Sequence, residues 1–244
     1  MNAQTQASTI TAVISTIYDE TGVTFPTVER CITPLSELIE SYGGLICTEI
    51  HKLSSQAAIN YLIGQGGLID IPEGLDVNKE PLAGFLYTTP NFGAIFVEQD
   101  DMLVRRRFTI AHELGHYFLH RPLLADSEEY AERFLVETMN TATESADQDE
   151  AEELPSGRLI FNRVADTASQ LPSFEQMERE ANQFAVEVLM PEPIIRAKVR
   201  AYTPYFQGED LVWRLATEML LSRAAIRYRL HDLRLSTTSK ARWN

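Results

Sequence analysis

The chain has 244 residues, 44% hydrophobic and 23% charged, the balance of a soluble globular protein with ample length for a core. Its formal net charge of −14 argues against a general binder of nucleic acid or anionic membrane. No run approaches the roughly 18 apolar residues of a membrane span, and MNAQTQASTITAVIST lacks the basic start and long apolar run of a signal peptide, so a cytoplasmic location is expected. Two cysteines, Cys31 and Cys47, stand outside any CxxC pattern and read as free thiols in a reducing compartment.

Residues 1–8 read as a loose polar tail. Apolar residues at helical spacing run from Ile10 to Tyr18. Pro34–Tyr42 (PLSELIESY) reads as a second helix, with Thr33 placed to cap it and Gly43-Gly44 to stop it. Leu45–Ile50 is a strand candidate and Ser54–Leu62 a short helix. Gly84–Thr88 (GFLYT) and Ala94–Glu98 (AIFVE) are two further strands around the turn formers of 89–93, which predicts a β-hairpin. An exposed sheet edge beside a peptidase site can hold an extended peptide by strand addition, which makes Gly84, Phe85, Leu86 and Tyr87 substrate-edge candidates. An ordinary structural hairpin fits the same residues.

Arg105–His120, RRRFTIAHELGHYFLH, follows directly and is the most informative stretch. His112 and His116 are four residues apart, so their rings share one helical face and can reach a single ion at about 2.0–2.1 Å. Glu113 overhangs the same point, where its carboxylate would accept a proton from a metal-activated water. Phe108, Ile110, Ala111, Leu114, Tyr117, Phe118 and Leu119 surround the motif, as in a core helix. Two histidines and a glutamate buried there are costly unless something pairs with them, and a metal does. Gly115 lies beside the histidine face, where a bare backbone allows close packing.

From Asp126 to Glu153 eleven acidic side chains stand against one arginine, which reads as a solvated insertion. A lid over the site and a decoy for a basic partner are the sharper alternatives. Order is expected to resume at Ser173, which opens a helix running to Met190 ahead of Pro191 and Pro193. A catalytic zinc usually keeps three protein ligands. On a straight helix His120 lies two turns from His112, too far to share one ion, so it reads as a neighbour of the site or a core residue. On the downstream helix Glu178 lies nearer than Glu180 to the middle of the face formed by Ala181, Phe184, Ala185, Val188 and Leu189. Glu178 is therefore the favoured third ligand. Asn182, one turn on, would orient a ligating group. Glu180, expected to face solvent, is the reserve.

RRRFTIAHELGHYFLH followed by EREANQFAVEVLMP resembles the ImmA/IrrE-type metallopeptidases, over roughly residues 34–120 and 173–235. The resemblance implies an α+β fold with a zincin-like core, a small sheet or hairpin packing on the HExxH helix. It implies that His112, His116 and the glutamate of the ExxxN match, Glu178, bind zinc, and that Glu113 is the general base. It also implies intracellular endopeptidases that cleave helix-turn-helix repressors and so release stress-response or mobile-element genes. The long acidic segment between the two motifs departs from the pattern. The oxyanion-stabilising residue is unassigned, with Tyr117 and His120 as weak candidates.

Leu211–Leu235 reads as two helices flanking Leu221-Ser222, a helix-turn-helix-like pair with Ser222 able to cap the second. Seven basic against two acidic residues over 211–242 admit DNA contact, although such arginines more often pair with acidic neighbours. The chain thus divides into an α+β part at 1–125, the acidic insertion at 126–172, a ligand helix with the helix-turn-helix-like part at 173–235, and a tail at 236–244. The expected function is a zinc-dependent endopeptidase acting on a protein substrate, with no membrane partner; ligand softness alone also admits Mn²⁺. The rival is a regulatory module that binds a repressor or DNA without cutting.

Overall fold

The computed structural model describes residues 3–66, 77–89, 91–122, 134–139, 157–160 and 172–235. In chain order the elements are α1 (Ala3–Thr21), α2 (Leu35–Tyr42), β1 (Leu45–Ile50), α3 (Ser55–Gly64), β2 (Leu82–Thr89), β3 (Phe92–Glu98) and α4 (Leu103–Gly115). Helix α4 continues into a π-helical turn, His116–His120. Then come β4 (Phe134–Met139), β5 (Gly157–Ile160), α5 (Phe174–Leu189), α6 (Glu192–Tyr202), α7 (Gly208–Met219) and α8 (Arg223–Asp232). The fold is α+β, as expected.

The strands form one sheet in the order β1-β3-β2-β4-β5, parallel at β1–β3 and antiparallel at the other joins. The hairpin pairs Gly84 with Val97 and Thr89 with Phe92. Both of its strands are buried almost end to end, because helices cover the two faces of the sheet. Side chains alternate between those faces. Leu86, Ile95 and Val97 join the core built by α4, α5 and the N-terminal helices. Phe85, Tyr87, Ala94 and Phe96 point the other way, onto Leu53, Ala58, Ile59 and Leu62 of the α3 segment.

Several local expectations give way to tertiary ones. Helix α1 starts at Ala3, so residues 3–8 are helical and not a loose tail. Its apolar stripe Ile10, Ile14, Ile17 and Tyr18 is buried in the main core, which anchors the whole helix. Thr33 does not cap α2, whose N-cap is Pro34 with no side-chain bond. Its hydroxyl instead donates to the Val188 carbonyl at 2.7 Å, tying the start of α2 to the end of α5. Gly43 and Gly44 do stop α2, at φ +71° and +70°, a region that glycine enters without steric penalty.

The substrate-edge expectation for Gly84, Phe85, Leu86 and Tyr87 fails. Strand β2 lies between β3 and β4, and those four residues have partners on both sides, so their backbone groups are already used. The partner β4 comes from 134–139, inside the stretch read as a solvated insertion; 157–160 likewise forms β5. The rest of 126–171 and the tail 236–244 lie outside the described residues.

At the C-terminal side, Pro191 breaks α5, and Pro193 falls in the first turn of α6, where a missing N–H does no harm. Helix α7 ends on Leu220 in the left-handed region at φ +54°, and the Ser222 hydroxyl caps α8 by accepting from Ala225 N at 3.1 Å. Arg229 of α8 is only 1% exposed. Its guanidinium donates to the Met190 carbonyl at 3.0 Å, to both oxygens of Glu187 at 3.0 and 2.6 Å, and to Asp232 at 3.0 Å.

Candidate active site

Helix α4 packs on β2 and β3 with one face and on α5 with another. At Gly115 the two helices approach closely. A Cβ there would stand 2.9 Å from Ala181 Cα, 3.0 Å from Ala181 O and 3.1 Å from Phe184 Cβ. Any larger residue at 115 would hold α5 away from the histidines, so the glycine is what lets short α5 side chains reach them.

They do reach. His112 Nε2 and His116 Nε2 are 3.0 Å apart, and Glu178 sets its carboxylate oxygens 3.0 Å from His116 Nε2 and 3.7 Å from His112 Nε2. Both histidines are fully buried, and Glu178 is 8% exposed. Asn182, one turn beyond Glu178, places Oδ1 3.1 Å from His112 Nδ1. An amide oxygen only accepts, so the His112 proton sits on Nδ1 and its Nε2 keeps a lone pair. Burial, followed by the neighbouring His116 ring, pushes the His112 pKa down to about 3, against the opposing pull of Glu178 and Asn182. Burial and His120 hold His116 well below its ordinary value. Both rings are neutral at physiological pH, the form in which imidazole ligates a metal.

Glu113 is also fully buried, on the side of α4 that faces the sheet. It rests over Gly84, where a Cβ would lie 2.6 Å from its Oε1 and 2.6 Å from Thr109 Cγ2. Gly84 is thus a cradle for Glu113 and not a peptide-binding edge.

Glu180 does not face solvent. It turns onto the π-helical turn, with Oε2 3.2 Å from His120 Nε2, while Gln176 Nε2 donates to its Oε1 at 2.8 Å. His120 in turn sets Nδ1 3.0 Å from His116 Nδ1. With both ring nitrogens engaged, His120 is not placed to stabilise an oxyanion. Tyr117 is 3% exposed and packs at Gly93 and edge-on to Tyr42, inside the core. The Glu180 contact was missed because helical spacing assigns α5 a single packed face, whereas α5 meets both α4 and the π turn. The i, i+4 pair Gln176/Glu180 was the signal that could have found it.

The profile of the peptidase M78 family, described as the IrrE N-terminal-like domain, matches residues 74–171 and 156–231. The chain belongs to this family. The match takes in the HExxH helix and the whole of α5, and begins after the N-terminal helices. Among curated proteins, none matches the chain.

Membership in the peptidase M78 family supports a metallopeptidase role and implies a metal. The residues present fit one. Four donors around a tetrahedral ion at 2.0–2.1 Å stand roughly 3.3 Å from one another, and the three separations here, 3.0, 3.0 and 3.7 Å, bracket that value. The donor chemistry, two neutral imidazoles and a carboxylate, is that of a catalytic zinc site with one position left for water. A second donor group among the described residues, His51, Glu98 and Asp100, is of another kind. His51 and Asp100 are exposed, and the Glu98 carboxylate already accepts from the amides of Lys52, Leu53 and Asp100.

Cys47 offers no rival nucleophile. Burial pushes the Cys47 thiol up to about 12, helped by Glu49 and Glu113, and a protonated thiol is a poor attacker. No helix among the described residues is long and apolar enough to cross a membrane.

Proposed function

We propose that the protein is a zinc endopeptidase in which His112, His116 and Glu178 hold the metal and Glu113 is the general base. The observation that carries this reading is the convergence of three buried donors from α4 and α5 beside a buried carboxylate. The chemistry a zinc ion supplies when bound is polarisation of the scissile carbonyl and acidification of the attacking water. Glu113 takes that water's proton on its carboxylate and passes it to the leaving amine. Asn182 keeps the His112 proton on Nδ1 and so aims Nε2 inward. Substrate is a protein, and the family resemblance favours a helix-turn-helix repressor whose cleavage switches on stress-response or mobile-element genes.

The binding-module reading draws on seven C-terminal cations, and three of them have partners within the protein. Arg214 pairs with Glu218, Arg227 with Glu209, and Arg229 with Glu187 and Asp232, so these cations are engaged within the protein. Incubation with a helix-turn-helix repressor substrate should yield fragments, and a chelator should prevent them. A stable complex with an intact partner, whether or not chelator is present, would favour the module instead.

The cradle under Glu113 makes a second expectation. Gly84→Ala puts a methyl group into the carboxylate and should lower kcat by about 100-fold, the scale of a 1 Å misplacement of a reacting group. Zinc affinity, measured by chelator competition, should barely change because the three donors do not touch residue 84. Unchanged kcat would remove Glu113 from the role.

A further inference from the structure

We propose that the strand pair β4–β5 is a strap across the flank of the site, which keeps substrate from the three donors until it unpairs from β2. The proposal rests on the peptidase reading above and adds its regulation.

The site as it stands is closed to a polypeptide. His112, His116 and Glu113 are fully buried and Glu178 is 8% exposed. A peptide to be cut has to bring its carbonyl beside those donors and within reach of the Glu113 carboxylate. Something must move first. Parting α5 from α4 is the wrong motion, since it would lift Glu178 off both imidazoles and undo the donor set. The opening that serves a substrate leaves the crossing at Gly115 in place and moves an element that leans on both walls.

The pair β4–β5 is such an element. On one side β4 pairs with β2, Gly84 against Thr138 and Phe85 against Glu137. Its backbone therefore runs about 4.8 Å from the strand that cradles Glu113. The sheet then steps to β5, with Thr138 against Gly157 and Glu137 against Arg158. In turn β5 lies against α5, the helix of Glu178. Two short strands thus bridge the wall behind the general base and the wall that carries the third ligand.

The strap is held more lightly than the strands it joins. Strand β2 pairs with β3 in unbroken register from Gly84 to Thr89, and β1 pairs with β3 over six residues. Toward β4 the register slips between Leu82 and Gly84, a bulge beside the residue on which Glu113 rests. Strand β5 adds only four pairs. The stretch 126–153 that contains β4 has eleven acidic side chains against one arginine, and such self-repulsion opposes compact packing. It is also where the chain departs from the ImmA/IrrE pattern.

A reversible disulfide tests the strap within one molecule. Thr88 and Phe134 are register partners on β2 and β4, close enough for a disulfide between opposed residues. In the full chain with Thr88→Cys and Phe134→Cys, an oxidant ties the strap down and a reductant releases it. The readout, without metal, is labelling of each histidine by diethyl pyrocarbonate, followed by mass spectrometry. His51 and His231 are exposed and serve as internal standards. The oxidised form should label His112 and His116 at least 10-fold more slowly than the reduced form, with both standards unchanged. The parent should not respond to oxidant. Val136→Pro removes a ladder bond from a strand paired on both sides and should label the two buried histidines roughly 10-fold faster than the parent. With zinc added, fluorescein-labelled casein should be cut by the reduced form and spared by the oxidised one. Equal labelling of His112 and His116 in the two redox forms overturns the strap. So does failure of the introduced thiols to pair, which would take β4 off β2, or a Val136→Pro chain that melts with the parent and labels no faster. Should that variant not fold, the redox comparison decides alone. If no form cuts casein, the peptidase reading loses support, while the labelling, read without zinc, still decides the strap.

Discussion

Glu113→Gln should abolish cleavage while leaving zinc stoichiometry and affinity intact. Glutamine has the shape of glutamate but cannot take a proton at neutral pH, so the change removes one chemical capacity and little else. General base catalysis contributes about 10²–10⁴ in rate, and kcat should fall by that factor with KM nearly unchanged. The carboxylate is fully buried over Gly84 and beside Thr109, so the amide has little room to reorient and recruit a substitute water path. Unimpaired turnover by this variant would end the mechanism. Zinc lost along with activity would show instead that Glu113 supports the donors and not the proton transfer.

The largest expected effect on stability lies far from that carboxylate. Arg229→Ala should destabilise the protein by about 3 kcal/mol, the lower end of the range for removing one partner of a buried ion pair. The lower end applies because Glu187 and Asp232 keep 19% and 42% exposure and regain water when the guanidinium is gone. The Met190 carbonyl at the end of α5 also loses its donor. For a chain of this size the loss corresponds to a fall in Tm of roughly 6–12 °C, which calorimetry would read. Arg229 joins α8 to the C-terminal end of the helix that carries Glu178, Glu180 and Asn182. A variant melting like the parent would show that α8 contributes little to holding α5.

How much of this could be read from the chain differs residue by residue. His112, Glu113 and His116 sit within five positions of one helix, and their spacing alone brings the two imidazole nitrogens together. Glu178 and Asn182 were also legible, since the apolar face that buries α5 also aims them. Gly115 was legible for the same reason. What failed involves partners far away in sequence. Thr33 has the chemistry of a cap, but its hydroxyl is turned to donate to the distant Val188 carbonyl and does not accept from a local amide. Strand β2 looked free because its neighbour, Phe134–Met139, is embedded in acidic residues that mask a short apolar strand. Glu180 looked solvent-facing because helical spacing gives α5 one packed face, whereas α5 meets both α4 and the π turn at His116–His120.

The close crossing at Gly115 and Ala181 also bears on time. The three donors are between 0 and 8% exposed and are carried by two helices that cross closely at Gly115. Any opening that parts α5 from α4 draws on the fold's own cooperative stability and takes Glu178 away from both imidazoles at once. A chelator's speed against the metal-loaded protein would then carry a contribution from how often those helices part.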